Sequence, residues 1–108
     1  MLENEELEVL VNQMELIAEA YFSKKRVLYI NRKLNDSICA HQRKTKKQYM
    51  AKVESTYLRL RPIEQLFINN EFFYEDYPDW WKGSFSEEDY LILKKKAIIH
   101  FLRVFYEW

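Results

Sequence analysis

One glycine and two prolines in 108 residues leave this chain with almost nothing to punctuate it. Glycine supplies the tight turns that join strands, and proline ends or kinks helices, so their scarcity predicts a few long helices instead of many short strands. The expected fold is all-α, a small bundle of about four to five helices. With 48% of residues hydrophobic and 17% aromatic, the chain can bury one modest core, so a single helical domain over residues 1–108 is expected.

The apolar runs are far shorter than the roughly 20 residues that cross a bilayer, and no basic-then-apolar leader opens the chain. A cytoplasmic protein without a membrane partner is the expectation. Cys39 is the only cysteine, which excludes an internal disulfide and a CxxC zinc site and leaves a core or idle thiol.

Formal charge is zero, but it is laid out in blocks. Residues 1–23 hold six acids and no base, and residues 24–61 hold twelve Lys or Arg against Asp36 and Glu54. Residues 62–93 hold eight acids against Lys82, and residues 94–108 hold four bases against Glu107. Such segregation gives a folded protein strong local potential, enough for a polyanion to bind one face; alternatively, neighbouring helices neutralise each other.

Leu7, Leu10, Met14, Ile17 and Tyr21 recur at alternating spacings of three and four, the seam of a helix packed on another helix. Glu3, Glu5, Glu6 and Glu8 suit its positive N-terminal end. Further on, Val27, Ile30, Leu34 and Ile38 fall on one side, and Tyr49, Val53, Tyr57 and Leu60 form a second series. The polar stretch between them predicts a break or bend near residues 35–44, with two helices favoured over one. Pro62 ends the second and suits the first turn of the next, "IEQLFINNEFF". "YEDYPDWWKGS" is then the main irregular connection, and Ser86, with Asp89 three residues on, reads as the N-cap of a last helix.

That last helix carries one polar stripe, Asp89, Lys96, His100, Arg103 and Glu107, and is otherwise nearly all apolar. An ordinary surface helix needs an apolar arc of a little over a quarter of its circumference, so this one is either central to the core or buries a second face against a partner. Phe101, Phe105 and Trp108 are the candidate interface residues on it, and Phe101→Glu or Phe105→Glu is expected to disrupt a dimer or complex. Trp80 and Trp81 read first as core anchors at a turn; because adjacent side chains diverge, one of them is also a candidate interface anchor.

Leu60, Pro62, Glu64, Trp80, Trp81, Ser86, Tyr90, Lys94, Lys95, Lys96, Ala97 and Phe101, spread over residues 58–103, form a pattern that resembles the C-terminal half of ArpU-type phage transcriptional regulators and, through them, region four of bacterial sigma factors. The resemblance implies a helix-turn-helix unit within residues 62–108, a role in transcription, and a recognition helix with its N-terminal residues in the major groove of DNA. The chain departs from the pattern at Glu87, Glu88 and Asp89, where three carboxylates would oppose the phosphate backbone. A sigma-like module that has kept a protein surface in place of groove reading fits those acids better. Expected protein partners are then a second copy, RNA polymerase or another transcription protein.

The candidate nucleic-acid residues are Arg43, Lys44, Lys46 and Lys47 in the basic segment and Lys94, Lys95 and Lys96 in the last helix. Lys24, Lys25, Arg26, Arg32, Lys33 and Lys52 could extend the basic track, and Tyr49 could stack on an unpaired base. A solvated basic helix face is the bland alternative.

Enzymatic chemistry finds no support. One glycine cannot build a phosphate-binding loop or a dinucleotide fingerprint, so no nucleotide cofactor is expected. His41 and His100 lie in no metal-ligand spacing, and Glu87, Glu88 and Asp89 splay around a helix instead of converging. The sequence thus predicts a transcription-linked DNA-binding protein, with a protein-interaction module as the alternative.

Overall fold

The computed structural model describes residues 2–34, 40–74 and 77–107, with side chains over 5–29, 43–74 and 77–107. Helix α1 spans Leu2–Leu34, α2 Ala40–Leu58, α3 Pro62–Ile68 and α4 Glu87–Tyr106, and no strand occurs among the described residues. The all-α bundle expected from the missing glycines is the fold.

The α1 seam falls where the spacing put it. Met14 and Ile17 are buried with Ala18, while Leu7, Leu10 and Tyr21 pack against that core from its edge. The helix does not stop there: its 33 residues, at about 1.5 Å each, match the 49 Å long dimension of the molecule. Val27, expected on the inner side of a separate helix, is 38% exposed. Of the expected break at 35–44, residues 40–44 are already helical, and 35–39 lie outside the described residues together with Ile38.

α2 returns antiparallel to α1. Lys24 sits over the Tyr49 ring and Tyr21 lines a wall with Val53 and Tyr57, so a step back along α1 meets a step forward along α2. Val53 and Thr56 face the core, and the Thr56 hydroxyl satisfies itself there by donating to the Lys52 carbonyl at 2.7 Å. After Leu58 the chain tightens through Arg59 and Leu60 into an extended Arg61, as the residue before a proline requires. Glu64 accepts from the Arg61 backbone N–H at 2.9 Å, which fixes the start of α3.

α3 continues directly into a π-helical turn, Asn69–Phe73, closed by the Tyr74 N–H on the Asn69 carbonyl at 2.7 Å. Residues five apart point to different sides of a regular α-helix with about 3.6 residues per turn. The wider turn returns Phe72 to the side of Phe67, so both rings are buried. Thirteen residues, 74–86, then join the π turn to α4, and from Tyr77 to Phe85 the chain makes successive turns. That connection is long beside the turn of about 3–4 residues that joins the two helices of a helix-turn-helix.

α4 starts where Ser86 accepts from the Asp89 N–H at 3.1 Å, as the capping pattern indicated, with Glu87, Glu88 and Asp89 in its first turn. It packs against α1, α2 and α3. Ala97, Ile98 and Phe101 are wholly buried along it, with Leu102 and Phe105 nearly so. Of the two options for its broad apolar arc, the central position accounts for most of it. Leu91, Ile92 and Tyr106 are the large apolar side chains of α4 left exposed.

Candidate functional sites: a basic pole, a buried acidic hub and an aromatic pocket

The antiparallel hairpin brings two basic blocks of sequence to one end of the molecule. Lys24 on α1 lies over Tyr49 at the middle of α2, whose first half carries Arg43, Lys44, Lys46 and Lys47, and Arg26 follows Lys24 by two residues toward the same end. Arg32 and Lys33 extend α1 toward the same end. Arg43, Lys44 and Lys47 are exposed and line one shallow face of α2 with Gln48 and Ala51; Lys46 is half-buried. Among the described residues none of these four has an ion-pair partner. The opposite end is acidic. Lys95 Nζ meets Glu6 Oε2 at 3.1 Å, while Phe105 reaches Tyr49 edge-on at 6.0 Å, so α4 runs alongside α1 in the same direction. Exposed Glu87, Glu88 and Asp89 therefore share an end with Glu5, Glu6 and Glu8, away from the lysines of α2.

The lysine triplet of α4 does not form a basic face. Lys94 is mostly buried: its ammonium lies 3.4 Å from Glu71 Oε2 and 3.3 Å from the Tyr90 hydroxyl. Lys95 is engaged with Glu6, and only Lys96 is left exposed. Consecutive residues on a helix point about 100° apart, so a triplet spreads over three environments. Lys94 is thus a structural cation, unavailable to a phosphate.

Glu71, inside the π turn, is a hub that sequence reasoning missed. Its Oε1 accepts from Trp80 Nε1–H at 3.2 Å and from the Tyr90 hydroxyl, and its Oε2 holds Lys94. Burial, then the hydrogen bond to Glu71 and its charge, push the Tyr90 phenol well above its ordinary value. Trp80 is enclosed by Phe67, Phe85 and Tyr90, and Trp81 stacks on Tyr90 at 4.3 Å, so both indoles work inside the chain. Phe101 and Phe105, expected at an interface, are 0% and 5% exposed because α4 is the central helix, and Trp108 lies outside the described residues. Tyr49, expected to be open to a base, is covered by Lys24 at 4.6 Å and packed on Phe105. His100 Nδ1 pairs with Glu64 Oε1 at 2.7 Å, which makes it a tether between α4 and α3.

A third feature lies between α1, α2 and the π turn: a pocket of about 260 Å³ walled by Tyr21, Phe22, Tyr57 and Phe73. Phe73 meets Tyr21 and Phe22 edge-on at 5.8 Å each and Tyr57 at 6.3 Å. Lys25, Glu54, exposed Leu58 and exposed Tyr74 form its rim. The Tyr21 phenol is pushed up by burial, then by Glu54 and Tyr74, and that of Tyr57 by burial and Tyr74. No signal in the sequence assembles this pocket, because its wall needs both the hairpin register and the π turn.

Among the described residues no group of three His, Cys, Asp or Glu could hold a metal ion, and no helix is long and apolar enough to cross a membrane. No protein-family model matches the chain, and neither a curated protein nor a solved structure matches it.

Proposed function

We propose that this chain is a DNA-binding protein that holds the phosphate backbone with the basic pole of the α1–α2 hairpin, in the transcription-associated role that the resemblance to ArpU-type and sigma region-four proteins implies. One observation carries the reading: Arg43, Lys44 and Lys47 share an exposed face free of acidic partners among the described residues, at the end of the molecule opposite the carboxylates. A polyanion that approaches this end meets attraction, and one that approaches the start of α4 meets Glu87, Glu88 and Asp89. Phosphate contacts position a protein on a duplex without reading its sequence, so backbone binding by the hairpin, with α4 outside the groove, is the mode proposed.

The test is a duplex-DNA shift titration at two salt concentrations, beside a sedimentation measurement of mass. A steep loss of affinity with salt supports the reading, and salt-insensitive or absent binding sinks it. A protein-interaction module is the second reading, favoured by Leu91, Ile92 and Tyr106 on α4, which stay exposed at 38%, 45% and 65%. A homodimer, or a stable complex with RNA polymerase or another transcription protein, with no DNA shift, would establish that reading instead.

A further inference from the structure

The aromatic pocket between α1, α2 and the π turn belongs to neither the basic pole nor the α4 surface. We infer that it binds a small organic cation, an ammonium with an apolar body, with the charge between the Tyr21 ring and the Glu54 carboxylate and the body against Phe22, Tyr57 and Phe73. Four features converge on that chemistry.

The pocket wall is made of four rings, Tyr21, Phe22, Tyr57 and Phe73, packed edge-to-face on one another. A ring face attracts a cation within about 6 Å of its centroid. The Lys25 ammonium, one helical turn along α1, already lies 5.8 Å from the Tyr21 centroid, at the outer limit of the range and on an exposed stem. A better-fitting cation would displace it.

Glu54 supplies the matching charge. It lines the pocket and has no ion-pair partner among the described residues, although Lys25 lines the same pocket. Its charge reaches the Tyr21 hydroxyl and helps to keep that phenol protonated. A neutral phenol offers its oxygen to a cation without adding a second full charge.

The third feature is the π turn. It places both Asn69 and Phe73 in the pocket wall, and such turns recur at functional sites in helices. The fourth is size: about 260 Å³ lies just below the usual range for small-ligand pockets, about 300–1,000 Å³, and suits a compact group such as a substituted ammonium on one ring.

The test is an NMR titration of the full chain with benzyltrimethylammonium, with benzyl alcohol as the uncharged comparison, following the aromatic signals of Tyr57 and Phe73. Saturable shifts are expected, with the cation bound about tenfold more tightly than the alcohol, the scale of one desolvated cation–π contact. Glu54→Gln should weaken binding severalfold. Lys25→Ala should tighten it, because the resident cation is gone. Both residues are exposed, so both variants should keep the wild-type unfolding transition, checked in the same samples. Equal binding of cation and alcohol overturns the inference, as does the absence of shifts at millimolar ligand, or weaker binding by Lys25→Ala. A trimethyllysine peptide that binds where the free ammonium does not would also overturn it, in favour of a protein ligand. None of these outcomes depends on whether DNA binds the basic pole.

Discussion

Glu71 shows how one side chain can matter more than its neighbours on the helix. It neutralises Lys94 and accepts from Trp80 and Tyr90, and it is only 14% exposed, so its removal strands two donors and a cation at once. Glu71→Ala should therefore cost about 2–4 kcal/mol in chemical denaturation. Lys94→Met leaves the Glu71 carboxylate without its cation but should cost less, because the phenol and indole still donate to it and the new side chain fills similar space. If the two variants are equally destabilised, the hub picture is wrong. Tyr90 adds a pH signature. Its phenol is raised in the folded state, so folding favours the protonated form. That contribution is whole below about pH 10, the ordinary tyrosine value, and fades as the pH climbs above it. Tyr90→Phe should flatten the alkaline fall in stability, with the remainder owed to Tyr21, Tyr49 and Tyr57, which are raised for related reasons. Gly83 makes the opposite point. A methyl group added there meets open space, and its backbone lies outside the left-handed region, so the lone glycine is not a steric necessity. Gly83→Ala should stabilise the fold by about 0.4–1 kcal/mol, read as a raised melting temperature.

At the scale of elements, what could be foreseen follows from how local the cause is. The α1 seam was legible because its spacing of threes and fours is a property of one helix, and the Ser86 cap because its hydrogen bond spans three residues. The length of α1 was not. The cluster Lys24, Lys25 and Arg26 interrupts the apolar pattern, yet contains nothing that breaks a helix. The π turn and the Glu71 hub were hidden because they depend on rings brought together from α3, the connection and α4. The width of the α4 apolar arc was legible, but whether this chain or a partner covers it is decided only by packing. Since α1, α2 and α3 all pack on α4, Phe101→Glu buries a carboxylate in the core. It should abolish cooperative unfolding and most of the helical circular dichroism instead of splitting a dimer. Phe101→Ala should cost about 3–5 kcal/mol and stay folded only if the total stability exceeds that. Ile92→Glu, on the exposed side at 45%, should keep the wild-type transition. A folded, monomeric Phe101→Glu beside a dimeric parent would put Phe101 back at an interface.

For the whole molecule, the basic run at residues 43–47 and the acidic runs at residues 5–8 and 87–89 fall at two ends of a body 49 Å long, because α2 returns antiparallel to α1 and α4 lays its acidic start beside that of α1. A net charge of zero thus conceals a dipolar surface. The Debye length at physiological salt is about 8 Å, so the two ends act as separate surfaces, and DNA at one is scarcely repelled by the other. The salt dependence of binding then counts the contacts. Each phosphate neutralised contributes about 0.9 to the slope of log affinity against log salt. If Arg43, Lys44 and Lys47 each hold one phosphate, replacing all three by Gln should lower that slope by about 2.7 and weaken binding at every duplex sequence alike. Replacing Lys94 by Gln should leave the slope unchanged while lowering stability, because Lys94 is committed to Glu71. The reversed result, with the slope following Lys94 and indifferent to α2, would require α4 to rotate out of the core and would return the recognition-helix mode to favour. Sequence-dependent affinity that survives the triple replacement would likewise move the DNA contact away from the hairpin.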